Sequence, residues 1–569
     1  MEKWVISAKR GDFNEIGRRF GIDPVVARLI RNRDVIDDAS IEKYLYGDVS
    51  SLYDPFLMKD MEQAVAILEN KIKEKKKIRI IGDYDIDGIC STYILFRGLS
   101  DLGAVVDIEI PDRIKDGYGI NIALIDAALE AGIDTILTCD NGISAAEQIT
   151  HGKEAGMTVI VTDHHEVPYE EQDGKIRYLI PQADAVVNPK QADCSYPFQG
   201  LCGAGVAFQL IRAMYQRRGK EQEIWEYLPF AAIATVGDVM DLVDENRILV
   251  KEGLKMLEGT SHVGLQALLA VNQLENRPVT AYHIGFVLGP CMNASGRLST
   301  AKRAFSLLCS TSRAEADVLA NDLKALNDSR KEMTEQGTRE AITLVETTSL
   351  KQDKVLVVYL PDCHESLAGI IAGRIREKYG RPAFVLTKGE ETVKGSGRSI
   401  EAYSMYREMT KCKDLFLRFG GHPMAAGLSI PEAQVGEFRE RINVLCTLTD
   451  EDLVEKIVID VAMPLSYITI PLVRQIQCLE PFGKGNKKPV FAQRKIRLMG
   501  LRILGKNRNV VKMQAFDENG YGMEALYFGE GEAFVKQVEE KETWDILYYP
   551  EVNSYQGREN LQIILQKIR

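Results

Sequence analysis

The sequence predicts an α/β protein in which two α/β domains are joined by a long helix and followed by a C-terminal β-barrel. Three observations carry this. From Ile78 onward short apolar runs alternate with longer stretches of helical periodicity. A proline-free segment over 313–346 spaces its apolar positions as a helix does, among many charges. Beyond about residue 448 the pattern changes to short β-rich runs separated by turn residues.

Residues 1–52 form an N-terminal segment with helix-like spacing and no visible chemistry. The first α/β domain, 53–320, takes IRIIG, VVDIEI, TILTC and TVIVT as strands, with helices expected over 90–102, 121–131 and 144–155. A connecting helix covers 321–347. The second α/β domain, 348–447, opens on the strand KVLVVYL, continues through the helical HESLAGIIAGRIREKYG and reaches a further strand at 383–387. The barrel occupies 448–569, with RKIRLMGLRIL, NVVKMQAF and WDILYY among its strands. As a separate domain it is expected to be removable near residue 448 with little effect on chemistry elsewhere.

With 569 residues, 45% apolar, 27% charged and a net charge of -11, the chain is neither disordered nor uniformly basic. No apolar run reaches the roughly 18 residues needed to span a bilayer, and MEKWVISAKR lacks the apolar region of a secretory signal. A cytoplasmic protein with no membrane partner is expected. The ten cysteines form no CxxC pair, so reduced thiols are expected.

The candidate chemistry lies where strands end. IRIIG runs into Asp83-Tyr84-Asp85-Ile86-Asp87-Gly88, and in extended geometry the three carboxylates share a face. Taken alone, a solvated turn with a helix-capping Asp explains them equally well. The event recurs, however: TILTC ends in Asp140-Asn141-Gly142, TVIVT ends in Asp163-His164-His165, and AIATVGD, read as another strand, ends at Asp238. Ligands of open α/β sheets bind outside the carboxyl ends of the strands, so four such endings predict one acidic crevice. Clustered carboxylates repel, and hard divalent cations are the usual remedy. An Asp-rich cluster with an imidazole suits a two-metal hydrolytic centre in which activated water attacks phosphorus.

These segments, GDYDIDG, TCDNGI, VTDHH and GDVMDL, resemble the DHH phosphoesterase superfamily. PDRIKDGYG, GPCMNASGR, HESLAGIIAGR, KGSGRS, GGHPMAAG and EPFGKGN narrow the resemblance to its bacterial single-strand-specific exonucleases. The resemblance implies a DHH domain, a DHH-associated domain and an OB-fold barrel. It also implies a Mn²⁺- or Mg²⁺-dependent 5′-to-3′ exonuclease on single-stranded DNA, releasing 5′-mononucleotides in DNA repair and recombination. Asp85, Asp87, Asp140, His164 and Asp238 match the metal-ligand positions, with Asp140 bridging two ions and Asp83 as a further candidate. His165 is then expected to face substrate phosphate, and Asp163 to orient the imidazoles. Where other members carry a histidine upstream of the paired aspartates, this chain has Ile81. A single-stranded-DNA-binding protein and a helicase are the protein partners implied.

An exonuclease must hold a strand end, and Arg374, Ser396 and Arg398 in a KGSGRS turn, His422, and Arg113 are the candidates for a terminal phosphate. Asn293 and Arg297 are expected to contact the strand. GLCGAGV at 200–206 lacks dinucleotide-binding spacing, so packing glycines are expected there. Between Glu480 and Asp517 there are ten basic residues and no acidic one. Lys487 and Lys488 with Phe491, Phe482 and Phe516 are expected to combine charge with stacking in a single-strand groove. The alternatives are a DHH phosphodiesterase of short oligonucleotides or cyclic dinucleotides, and an inactive strand-binding protein. EPFGKGN and the basic track argue against the first, and the intact carboxylates against the second.

Overall fold

A computed structural model describes residues 2–113, 115–117, 119–172, 174–389, 391–555 and 557–569. Ile114 and Tyr118 of the PDRIKDGYG motif lie outside the described residues. The chain divides into two compact units, one built mainly from residues 4–289, 305–313 and 457–569 and the other mainly from 290–304 and 314–456.

In the first unit the strands Val105–Glu109, Lys77–Ile81, Thr135–Cys139, Thr158–Thr162 and Ala185–Val187 lie in that spatial order, every adjacent pair parallel. Ile78, Ile80, Ile81 and all of Thr135–Cys139 are buried, as a sheet covered on both faces requires. The expected helices are present as Ile86–Asp101, Ile122–Glu130 and Ala146–Glu154. From Lys77–Ile81 the chain moves to one edge of the sheet and then returns to the other side at Thr135–Cys139. That reversal opens a crevice outside the carboxyl ends of these two neighbouring strands.

AIATVGD is not a strand. Leu228–Gly237 is an α-helix and Asp238 caps its carboxyl end. A short, almost wholly buried apolar run carries no periodicity that separates a strand from a core helix. Three strand ends and one helix end, rather than four strand ends, therefore supply the acidic groups.

The barrel belongs to the same unit. Phe491–Leu504, Val510–Phe516, Gly522–Phe528, Arg558–Ile568 and Trp544–Tyr555 pair in that order, and the last pairs back with the first. Closure leaves no long unpaired edge. Its core of Phe491, Ile496, Val511, Met513, Trp544 and Tyr548 is continuous with Val26, Leu29, Ile30, Ile41 and Leu45 of the helices Pro24–Asn32 and Asp38–Tyr46. The N-terminal segment is thus part of the barrel's packing. Removing the chain beyond residue 448 would strip these helices of their apolar partner, so the expected independence of the C-terminal region does not hold.

In the second unit the long helix runs Arg313–Thr347, starting before residue 321, and its Ala341 and Val345 share a core with Leu356, Ile371 and Val385. The sheet order is Arg418–Gly421, Ala425–Ile430, Val393–Arg398, Ala383–Lys388, Leu356–Tyr359. KGSGRS is a strand and not a turn, paired antiparallel on both sides. Its glycines face the core, where a Cβ on Gly395 would lie 2.2 Å from Leu386 Cδ2 and one on Gly397 2.4 Å from Met405 Sδ. Lys394, Ser396 and Arg398 consequently share the opposite face.

The helix Asp244–Leu257, which follows the Asp238 turn, is anchored by a buried carboxylate. Glu245 accepts the Tyr53 N–H at 2.7 Å and the Tyr196 hydroxyl at 2.6 Å. Burial pushes its carboxyl up from 4.5 to about 7. A raised carboxyl pKa gives stability that is complete below the unfolded value and is lost as pH rises through the folded one. Glu245→Gln keeps the shape and one of the two acceptor oxygens without a titrating proton, so the Tm difference between wild type and variant should change between pH 4.5 and about 7, the wild type losing a few degrees relative to the variant. Parallel Tm curves over that window would exclude Glu245 as the titrating group.

Candidate metal centre

The loop after Lys77–Ile81 closes on itself so tightly that two positions must be glycine. A Cβ on Gly82 would lie 2.0 Å from Thr92 Oγ1, and one on Gly88 2.4 Å from the Asp83 carbonyl oxygen. Asp85 caps the helix Ile86–Asp101, its Oδ1 accepting the N–H groups of Asp87 at 2.9 Å and Gly88 at 3.1 Å. The capping role and the candidate ligand role thus fall on one residue, because the cap turns the carboxylate toward the crevice. Asp87, in the first helical turn, accepts the N–H groups of Gly203 at 2.6 Å and Ala204 at 2.7 Å.

Those two donors open the helix Gly203–Arg217, whose N-terminal dipole favours an anion. A Cβ on Gly203 would sit 2.6 Å from Asp140 Cβ, so only glycine lets that helix end approach. Gly203 of GLCGAGV is therefore part of the site, whereas Gly200 and Gly205 pack against Phe198 and Leu201 as expected. Glycine at the start of a helix-like run was the available signal.

Asp140 takes a left-handed backbone, φ 60°, at the end of its strand. Beside it Asn141 ties the strand ends together: its Nδ2 donates to the carbonyls of Ile81 at 3.1 Å and Cys139 at 2.9 Å, and its Oδ1 accepts the Ile120 N–H at 3.2 Å. His164 Nε2 lies 3.1 Å from Asp140 Oδ1, 3.6 Å from Asp87 Oδ2 and 3.9 Å from Asp238 Oδ2. His165 Nδ1 is 2.8 Å from Asp163 Oδ1, and the Asp163 carboxylate also accepts the N–H groups of His164, His165 and Ile143.

Three sets of ligand atoms gather within 4.8 Å of one another: Asp83, Asp85 and Asp140; Asp87, His164 and Asp238; and Asp140, His164 and His165. Burial first, and then like charges from the neighbouring aspartates, push the carboxyls of Asp83 and Asp140 well above the ordinary range. Asp85 and Asp87 are raised mainly by burial. At Asp238 burial with Asp87 and Asp85 gives about 8, opposed by His165 and Lys484. Burial and the adjacent His165 lower His164 to about 4, which keeps its imidazole neutral. Burial alone would raise Asp163, but the hydrogen bond and charge of His165 hold it below the usual range. Asp83 Oδ1 and His164 Nδ1 are buried without a hydrogen-bond partner among the described residues. Crowded carboxylates, a neutral imidazole and an orphaned carboxylate oxygen fit hard divalent cations.

The other sequence candidates fall in three places. Arg113 lies over the Tyr84 ring, 4.9 Å from its centroid, beside the same loop. Arg374, Ser396, Arg398, His422, Asn293 and Arg297 all belong to the second unit. There Arg297 donates to the Ser366 carbonyl at 2.9 Å, and a Cβ on Gly369 would meet Arg398 Nη2 at 2.8 Å, so two guanidinium groups adjoin the start of the helix Ala368–Tyr379. Arg374 follows on that helix. Ser396 shares the face of Arg398, Asn293 is one helical turn before Arg297, and His422 is exposed in the hairpin between Arg418–Gly421 and Ala425–Ile430. Arg330 of the long helix lies near Arg374, with its pKa lowered by burial and then by that charge, and donates to Asn327 Oδ1.

On the barrel two expectations change. Phe491 is fully buried and stacked on Tyr548 in the core, so it offers no face to a base. The basic track is also partly neutralised: Lys484, Lys488, Lys495, Arg508 and Lys512 pair with Asp241, Glu551, Glu518, Glu532 and Glu524. Lys487, Arg494, Arg497, Arg502 and Lys506 form no ion pair among the described residues. Phe516, opposite Arg497 in register, lies on the outer face, whereas Phe482 packs against the core.

Acidic ends of parallel strands around a paired histidine, with a closed barrel in the same unit, define a phosphoesterase-type metal centre coupled to a strand-binding fold. Family models match accordingly: the DHH family N-terminal domain over 77–235, the DHHA1 domain over 352–447 and the RecJ OB domain over 459–567. The single-stranded-DNA-specific exonuclease RecJ of Escherichia coli is 33% identical over 570 residues, covering 96% of both chains. The RecJ of Bacillus subtilis is 36% identical over 535 residues, 93% of this chain, which spans only 66% of that relative's length. The solved RecJ of Thermus thermophilus in complex with Mn²⁺ superposes with a TM-score of 0.83 at 28% identity, covering 100% of this chain and 79% of that one. The chain belongs to the RecJ family of DHH proteins.

Because like charges oppose one another at Asp140, Asp140→Asn is expected to bind Mn²⁺ far more weakly while unfolding, in chelator, at a Tm no lower than wild type. Calorimetry with and without Mn²⁺ measures both. A variant that binds Mn²⁺ as wild type does would remove Asp140 from the ligand set.

Proposed function

We propose that the chain is a metal-dependent exonuclease that degrades single-stranded DNA from its 5′ end and releases 5′-mononucleotides. The observation that carries this reading is the convergence of Asp83, Asp85, Asp87, Asp140, His164 and Asp238 at one sheet reversal. These residues would hold two divalent cations, Mn²⁺ or Mg²⁺, with Asp140 shared between the sets. Such ions supply a Lewis-acid clamp on the phosphodiester and a water acidic enough to attack phosphorus near neutral pH.

The chain's own groups then divide the remaining work. His164 is almost wholly enclosed, whereas the His165 side chain is 41% exposed and is the imidazole that can meet substrate. Asp163 grips His165 Nδ1 and two backbone N–H groups, which orients both rings. The N–H groups of Gly203 and Ala204 fix the Asp87 carboxylate. In the second unit Arg374, Ser396, Arg398 and His422 are assigned to a 5′-terminal phosphate, supported by the helix N-terminus beside Arg398. Asn293 and Arg297 are assigned to the strand, as is Arg113 beside the metal loop. On the barrel Lys487, Arg497 and Arg502, with Phe516 rather than Phe491, replace the ten-charge track as strand contacts, and Lys488 is left to its pair with Glu551.

The domains of this reading follow the sequence boundaries, with the long helix counted from Arg313 and residues 1–52 joined to the barrel. No helix of the described residues is long and apolar enough to cross a membrane. A cytoplasmic role in DNA repair and recombination fits the reading. There a helicase would open duplex and a single-stranded-DNA-binding protein would cover the strand before digestion.

End-labelled strands decide the polarity. Single strands blocked at the 3′ end should be degraded and those blocked at the 5′ end should survive, duplex should resist, and chelator should stop the reaction. Degradation of 5′-blocked strands would overturn the direction. The phosphate assignment has its own test: removing the 5′-phosphate and substituting Arg398→Ala should be non-additive in kcat/KM, since each removes the same interaction. Additive losses would place Arg398 elsewhere.

A further inference from the structure

The EPFGKGN segment supplies no candidate metal ligand and no strand contact described above, yet its loop is tightly tied down. It is built around Asn486, which is fully buried. Asn486 Nδ2 donates to the carbonyls of Leu479 and Pro481, both at 2.8 Å, and its Oδ1 accepts from Arg33 Nε at 2.6 Å and the Tyr44 hydroxyl at 2.9 Å. Gly483 N–H donates to the Asn486 carbonyl at 2.9 Å and closes the loop. All four groups of this amide and its partners are satisfied inside the protein, so the loop's shape is set before it touches anything else.

The closed loop lies directly on residues 241–243. Leu242 N–H donates to the Lys484 carbonyl at 2.8 Å. A Cβ on Gly483 would lie 2.7 Å from Leu242 Cδ1. Gly485, at φ 73°, would bring a Cβ to 3.0 Å from Asp241 Cβ and 3.2 Å from Val243 Cγ1. The left-handed backbone and close approach require glycine at Gly485, and a Cβ at Gly483 would have to displace the buried Leu242 side chain.

The segment they touch is the far side of the turn that begins at Asp238. Its near side is the end of a helix, where Asp238 N–H donates to Ala234 and Met240 N–H to Thr235. Between the two sides stands Val239, a β-branched residue at φ 58° and largely exposed. Such a residue is strained in the left-handed region and stays there only where its surroundings over-determine the backbone. Asp238 is also the one candidate ligand that the parallel sheet does not place, because it follows a helix. Its register must come from another source.

We propose that the 480–486 loop is a positioning clamp for the metal centre: by holding residues 241–243 through the Lys484 carbonyl and the close approach of Gly483 and Gly485, it sets the Asp238 turn so that the carboxylate faces His164. The C-terminal part of the chain thereby completes the metal site from a distance of more than two hundred residues in sequence. These are positioning residues and touch no substrate. The proposal rests on Asp238 as a ligand in the metal-dependent reading above.

The test uses the full-length chain. Mn²⁺ binding is measured by calorimetry on the protein alone, alongside turnover of a trinucleotide too short to depend on the barrel, Tm in chelator, and strand affinity in chelator. Gly483→Ala is expected to weaken Mn²⁺ binding by about tenfold or more, with a similar loss of trinucleotide turnover. Made in a Leu242→Val background, which removes the Cδ1 atom it would strike, the same substitution should cost less than about twofold. Lys484→Ala keeps the carbonyl and removes an exposed ion pair with Asp241 and a positive charge near Asp238, neither of which holds the loop, so its Mn²⁺ binding should weaken by no more than about twofold.

Unchanged Mn²⁺ binding in Gly483→Ala would overturn the clamp, as would equal losses in both backgrounds or a loss reproduced by Lys484→Ala. A fall in Tm large enough to account for the loss by unfolding, not relieved by Leu242→Val, would also overturn it. If Mn²⁺ binding follows the expected pattern while the wild type degrades no strand, the clamp stands and the exonuclease reading falls. If wild type degrades strands and the isotherms are indifferent to Gly483, the reverse is true.

Discussion

Confining several carboxylates to one buried crevice is the constraint on which the rest of this molecule depends. Asp83, Asp85, Asp87 and Asp140 are brought together by two adjacent parallel strands at the point where the sheet order reverses. Burial and mutual repulsion oppose their ionisation, and every nearby feature counters one part of that cost. The helix start at Gly203 and Ala204 gives Asp87 two backbone donors, and the left-handed Asp140 with its Asn141 brace locks the strand ends. His165 pairs with Asp163 and holds it ionised, which offsets part of the repulsion that Asp163 exerts on Asp140. The crevice that results is a poor place for anions alone and a good one for cations.

The barrel is tied to this centre more closely than a chain of separate modules would suggest. Its core is shared with the N-terminal helices, and the loop that leads into it is packed against the Asp238 turn. Buried Arg247 joins the same assembly, donating to the carbonyls of Tyr44, Leu479 and Cys478 while stacking over the Tyr44 ring. The barrel core, the N-terminal helices and the Asp238 turn in the first unit therefore share contacts.

Much of the fold was legible because its signals are local. Alternation of apolar runs with helical periodicity marked the parallel sheet, and the acidic and histidine clusters at Asp83–Asp87, Asp140 and Asp163–His165 lie where a strand visibly stops. The element carrying Asp238 was misread because a fully apolar helix and a buried strand look alike over ten residues. Phe491 is not legible as a core residue from the sequence, because strand alternation reveals two faces without saying which one faces inward. The segregation of positive charge is only partial in three dimensions, because Asp241, Glu518, Glu524, Glu532 and Glu551, outside the window of the basic run, pair with five of its ten members.

By itself the sequence singled out the side chains that converge in the crevice, since carboxylates at strand ends, paired histidines and glycine-rich motifs are properties of neighbouring residues. It also determined the class of elements, through periodicities that span only a few turns or strands. Tertiary structure alone decided how those residues are set: that Gly203 yields to Asp140, that Asn486 organises a loop from the N-terminal helices, and that Lys484 meets Leu242. The physical reason is that close approach and hydrogen-bond satisfaction are pairwise quantities between residues hundreds of positions apart, and no local pattern in the chain records them.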